Sequence, residues 1–132
     1  RKYQFKVDVQ PRFLMEQSAP EQGLFVFAYT IKITNTGSVT AQLISRTWNV
    51  NDAEGMHEKI RGLGVVGHQP LLKPGEQFEY TSWAQIATPQ GSMQGTLMAI
   101  TEDARWFESP VAEFALAEQA QGRTIRISSS SP

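Results

Sequence analysis

Apolar and polar residues alternate along this chain in short runs separated by turn-forming residues, the period of two expected of strands with one buried face. The strictest run is Tyr3-Gln4-Phe5-Lys6-Val7-Asp8-Val9-Gln10, apolar at each odd position and polar at each even one. Leu24 to Ile33 places Phe25, Phe27, Tyr29, Ile31 and Ile33 on one face, while the other grades from Leu24 and Val26 to Lys32. That grading predicts a central strand. Asn35-Thr36-Gly37-Ser38 supplies a turn, and Val39 to Val50 then offers Ile44, Trp48 and Val50 on one face. Asp52-Ala53-Glu54-Gly55 has the chemistry of a hairpin turn, with Met56 to Arg61 as the return strand.

Pro74-Gly75 and Thr88-Pro89-Gln90-Gly91 bracket a fifth run, in which Phe78, Tyr80 and Ser82 alternate with Glu79, Thr81 and Trp83. Met93 to Thr101 and Trp106 to Phe114 flank Glu102-Asp103-Ala104-Arg105 as a closing hairpin, and Pro110 belongs there at an edge or a bulge, where no ladder donor is missed. About seven strands and no convincing helix predict an all-β fold of two antiparallel sheets in a sandwich. A small closed barrel uses the same signals and differs only in strand order. For Ala112 to Ala120 a short helical turn competes with a fraying strand. Residues 1–118 are expected to form the domain, and 119–132, with Ile125 and Ile127 ahead of four serines, a loose tail or a weak extra strand.

Composition narrows the function classes. The chain has 132 residues, enough for one core, and its 12 Lys and Arg against 13 Asp and Glu leave no basic excess to neutralise a run of phosphates. Nucleic acid is therefore not an expected partner. Cysteine is absent, which removes disulfides and thiolate metal sites and makes the cytoplasm the expected location. No apolar run approaches the ~20 residues of a membrane span, and the alternating N-terminal run does not read as a signal peptide, so membrane insertion is not expected.

Gly62-Leu63-Gly64-Val65-Val66-Gly67 is a literal G-x-G-x-x-G. As a dinucleotide fingerprint it needs a following helix to hold a pyrophosphate, yet Pro70 would fall inside any helix opening at Gly64. Two readings remain. Backbone amides from Gly64 to Gly67, with Arg61 or Arg46 adding charge, could hold an anion. Alternatively the glycines serve positive φ and close passage beside a neighbouring strand. The candidate anion- or partner-binding loop is Arg61, Gly62, Gly64, Val65, Gly67, His68 and Gln69, with Arg46 as supporting charge.

His57 and His68 stand eleven positions apart without a metal-binding spacing, and no nucleophile signature is present. No metal, no cofactor and no catalytic residue are expected. Trp48 alternates with Ile44 and Val50 and reads as a core plug whose N–H finds a partner; Trp83 and Trp106 stay open between surface and core.

The run Arg61 to Pro70, followed by Lys73-Pro74-Gly75, Phe78-Glu79-Tyr80-Thr81-Ser82, Thr88-Pro89 and Gly91-Ser92-Met93-Gln94-Gly95-Thr96, closely resembles the ApaG family in its bacterial stand-alone form. Gln17-Ser18, Phe27-Ala28-Tyr29, Ile33-Thr34-Asn35 and Arg46-Thr47-Trp48 extend the resemblance over about residues 3 to 117. It implies an immunoglobulin- or fibronectin type III-like sandwich, an association with cobalt resistance and magnesium efflux, and kinship with adaptor domains of F-box proteins. Pyrophosphate or nucleotide binding at the glycine motif has been considered for the family. This chain departs from the family in carrying Thr47 in place of a His, and Ala112-Glu113-Phe114 in place of Pro-Pro-Phe. The expected function is a non-catalytic module that binds an unidentified protein and affects ion efflux indirectly. The alternative is a phosphate, pyrophosphate or nucleotide ligand on the glycine loop.

Overall fold

The computed structural model describes residues 2–118 and holds eight strands: β1 Phe5–Phe13, β2 Phe25–Asn35, β3 Ala41–Asp52, β4 His57–Leu63, β5 Leu71–Leu72, β6 Gln77–Ile86, β7 Gln90–Thr101 and β8 Trp106–Ala117. Two single turns of 3-10 helix, Met15–Gln17 and Pro20–Gln22, join β1 to β2. All pairings are antiparallel: β1-β2-β6 form one sheet, β4-β3-β7-β8 the other, and β5 adds to β3. The all-β sandwich read from the alternation is the fold, with β2 central in its sheet and β7–β8 as the closing hairpin. Where β1 approaches β8 no ladder forms; Phe5 and Phe107 meet edge to face at 5.1 Å, and the Ser109 hydroxyl donates to the Phe5 carbonyl at 3.4 Å. The two sheets stay separate, which sets the barrel aside.

Five inward residues of β2, Phe25 to Ile33 at odd positions, are all buried, and Leu97, Met93, Leu116 and Trp48 face them from the second sheet. Pro110 and Pro11 both lie on edge strands, where a missing ladder donor costs least. The segment from Ala112 stays in β8 to Ala117 rather than forming a helical turn. Asn35, 1% exposed, ties the β2–β3 turn to β5: its Nδ2 donates to the carbonyls of Val39 and Leu72, and its Oδ1 accepts from the Gly37 amide, each at 2.9 Å.

Three expectations are corrected. Ile44 does not share the face of Trp48: β3 shifts register between Leu43 and Ser45, so Ala41 and Leu43 are buried before Ile44, and Trp48 and Val50 after it. A β-bulge inserts one residue and reverses parity, which strict alternation cannot anticipate. Among the described residues the buried Trp48 indole N–H has no hydrogen-bond partner, and neither has the buried Tyr80 hydroxyl. The two-residue β5 had no alternating signal of its own. The expectation of a loose or strand-forming tail at 119–132 lies outside the described residues.

Candidate functional site

The glycine motif straddles the end of β4 and a tight reversal, with no helix behind it. Gly62 is still in the ladder, opposite Arg46 of β3. A Cβ on Gly62 would lie 2.7 Å from Arg46 Nη1 and 3.0 Å from its Cζ, so the missing side chain makes room for the guanidinium. Nη1 then donates to the carbonyls of Leu63 at 3.2 Å and Gly64 at 2.8 Å. Gly64 has φ +66, and its Cβ would fall 2.5 Å from the His68 carbonyl oxygen; its amide donates to the Ile44 carbonyl at 2.7 Å. Bulge, guanidinium and glycine thus lock together.

Val65 is fully buried and anchors the loop in the core. Its amide donates to the His68 carbonyl at 2.8 Å and that of His68 returns to the Val65 carbonyl at 2.9 Å, closing a four-residue reversal. The central pair, Val66 at φ +43 and Gly67 at φ +84, both lie in the left-handed region, as a type I′ turn requires. Glycine suits that conformation, but a β-branched residue is strained in it. Gln69 braces the base, its Nε2 donating to the Ile44 carbonyl at 2.9 Å while its own carbonyl accepts from Gln42 Nε2 at 3.0 Å. The exposed His68 ring tilts against Phe78 with centroids 5.5 Å apart.

Arg61 and Arg46 lie on opposite faces of the sheet. Arg46 sits in register with the buried Leu97, whereas Arg61 pairs with Thr47 and is exposed on the outer side. Arg46 lies close enough to Tyr29 and Tyr80 for its charge to act on both, but burial dominates and raises each phenol above its usual value. Among the described residues no group of three His, Asp or Glu side chains could hold a metal ion. Both histidines are exposed, and His57 Nδ1 lies 2.6 Å from Asn51 Oδ1.

What the alternation did not show is an apolar row on the outer face of the larger sheet. Leu71 pairs with Gln42, Gln42 with Ile100 and Ile100 with Trp106, which lines up three large apolar side chains across four strands. The adjacent row runs from Leu63 through Ser45 and Met98 to Glu108. Leu63, Leu71 and Trp106 are 75%, 60% and 58% exposed. The glycine loop joins Leu63 to Leu71 and borders this patch, with Val66 also exposed at its tip. Gln42 stands between Leu71 and Ile100, and Ser45 between Leu63 and Met98, so apolar side chains on this face alternate with polar ones.

The family model for the ApaG domain matches residues 15–101. A protein from Ralstonia nicotianae called ApaG is 56% identical over 116 residues, spanning 88% of this chain and 94% of its own length. The ApaG protein of an Acidovorax species is 54% identical, covering 92% of this chain and 90% of its own. A crystal structure of a Bordetella pertussis protein called ApaA superposes with a TM-score of 0.87 at 54% identity, covering 89% of this chain and 95% of that one.

Proposed function

The chain belongs to the ApaG family, and on that premise we propose that it is a non-catalytic binding module acting through protein recognition. Its contact surface is the loop from Arg61 to Pro70 together with the apolar rows beside it. The observation that carries this reading is the alignment of Leu71, Ile100 and Trp106 in one cross-strand row next to Leu63. Exposed tryptophan and leucine on a rigid sheet offer contact area at little entropic cost, and aromatic side chains dominate interface energetics. No helix among the described residues is long and apolar enough to cross a membrane. On this reading the cobalt-resistance and magnesium-efflux association implied by the family resemblance is exerted through a partner that the module engages.

The phosphate or nucleotide reading draws less support from the loop. Amides of Gly64, Val65 and His68 already donate to carbonyls within the fold, and Arg46 spends Nη1 on the loop carbonyls. A cradle for an anion needs such donors aimed outward and free.

Leu63→Asp and Trp106→Ser test the surface. Each residue is largely exposed, so folding should be retained, as circular dichroism and thermal melting will show. Proteins captured from the source cell by the wild type should be lost from both variants. Equal capture by all three would remove the surface from consideration. Calorimetric titration with pyrophosphate and nucleotides at moderate salt decides the alternative: saturable binding abolished by Gly64→Asp would move the function to the ligand class.

A further inference from the structure

Each sheet of the sandwich has two outer strands, and three of these four edges carry devices that discourage pairing. β1 has Pro11 with Lys6, Asp8 and Arg12; β8 has Pro110 with Glu108 and Glu113; β4 has Glu58, Lys59 and Arg61 among seven residues. Prolines and charges on an edge are the usual protection against unwanted strand addition. β6 has neither device. Its ten residues include no proline and one formal charge, Glu79, and among the described residues no strand pairs with its second side.

The sheets also differ in width at this side. Strands β1, β2 and β6 face a sheet whose main path has four strands, and β4 is the overhanging member. Residues of β4 that share the inner face with Trp48 and Val50, namely Ile60 and Glu58, are therefore exposed instead of covered. Under the overhang lies a cleft of about 330 Å³ between β4 and β6, whose lining includes Val50, Met56 and Ile86 with the titratable Asp52, His57 and Glu58. Among the described residues neither carboxylate forms an ion pair, but Asp52 Oδ1 accepts from the backbone amides of Glu54 and Met56 at 2.8 and 2.9 Å, which leaves Glu58 as the less engaged of the two.

We propose that β6 receives an extended segment of a partner protein as a fourth strand of the smaller sheet, a second site separate from the loop surface. Strands in a sheet lie ~4.8 Å apart, so one added strand occupies the ledge beneath β4 and covers its inner face. Alternate residues of the incoming segment face the cleft, where apolar side chains meet Val50, Met56 and Ile86 and a Lys or Arg meets Glu58. Side chains of opposite parity lie beside Trp83, which is 63% exposed on the outer face of β6. The occupant is a foreign segment, not a second copy. Pairing β6 antiparallel with the β6 of a second copy would drive each overhanging β4 into the other copy's larger sheet, where β3 already lies over β6.

The probe is a random twelve-residue peptide library displayed on phage and selected on the immobilised folded protein, the strongest peptide then being synthesised. Enriched peptides should alternate apolar with polar residues and contain Lys or Arg. Hydrogen exchange in the complex should slow across Gln77 to Ile86. Ala84→Lys places a charge on the inner side of β6, and Glu58→Lys cancels the cleft's negative charge on an exposed strand where folding is not at stake. Each should weaken binding by about tenfold or more, whereas Leu63→Asp should leave it unchanged. The proposal is overturned if selection enriches nothing, if protection falls on β1, β4 or β8, or if Glu58→Lys has no effect. Loss on Leu63→Asp instead would assign the peptide to the loop surface, and a concentration-dependent dimer disrupted by Ala84→Lys would show β6 to be a self-association edge.

Discussion

Replacing Gly62 by alanine tests whether the first glycine of the motif exists to seat Arg46. Gly62 lies in extended backbone, so alanine is conformationally acceptable there and, by restricting the unfolded chain, should stabilise by about 0.4–1 kcal/mol if nothing opposed it. Opposing it is the new Cβ, 2.7 Å from Nη1 of a guanidinium that donates to two loop carbonyls. Displacing the guanidinium forfeits a charge-assisted interaction of about 1.5–3 kcal/mol. The balance is a destabilisation of about 1–2 kcal/mol, or roughly 4–7 °C in Tm for a chain of this size. In an Arg46→Ala background no guanidinium remains to be displaced, and Gly62→Ala should become neutral or mildly stabilising. Urea unfolding of the four proteins closes the cycle, with an expected coupling of roughly 1.5–3 kcal/mol. If Gly62→Ala costs the same in both backgrounds to within about 0.5 kcal/mol, the seating argument is wrong.

The other two glycines should separate by cause. Gly64→Ala combines φ +66 with a 2.5 Å approach to a backbone oxygen and should cost several times what Gly67→Ala does, where φ +84 is the sole obstacle and the penalty is about 1–2 kcal/mol; denaturant midpoints of the two variants test the order. Val66→Asn places a residue tolerant of the left-handed region at φ +43 and should stabilise by about 0.5–1 kcal/mol, read as a higher Tm. Asp103, held to about 2 by hydrogen bonds from Thr101 and Tyr3 and by Lys2, contributes stability that is present above the ordinary carboxylate value near 3.8 and disappears as pH falls through 2. Asp103→Asn should thus lower the urea midpoint at pH 6 and converge with the wild type near pH 2.

Much of the fold was legible because most strands bury one face, and period two reports that directly. β6 follows its alternation from end to end, and β1 and β2 depart from theirs only at Pro11, exposed on the inward parity, and Ala28, buried on the outer one. β3 does not, and the reason is local: apolar residues stand at both Leu43 and Ile44, so the chain can bulge there without an apolar side chain marking the break. β5 escaped because two residues contain no period. The exposed rows were invisible for another reason. Leu63, Leu71, Ile100 and Trp106 are far apart in the chain and meet only through the registers of four separate pairings.

The glycine motif shows how spacing can be correct and its cause misassigned. In a dinucleotide fold the three glycines serve one ligand at a helix N-terminus. Here each answers to a different neighbour: Gly62 to the Arg46 guanidinium, Gly64 to its own positive φ and the His68 carbonyl, Gly67 to the second position of a tight reversal. These demands come from β3 and from the turn closed by Val65 and His68, so they persist with no ligand at all. The β3 bulge at Ile44 links them, because the carbonyl of Ile44 accepts from both Gly64 and Gln69. That fixes the path between Leu63 and Leu71 and holds the two leucines beside the Ile100–Trp106 row. On the proposed reading the motif bears on recognition through the surface it positions, and a substitution that loosens the loop should impair partner binding through a shift of Leu63 and Leu71.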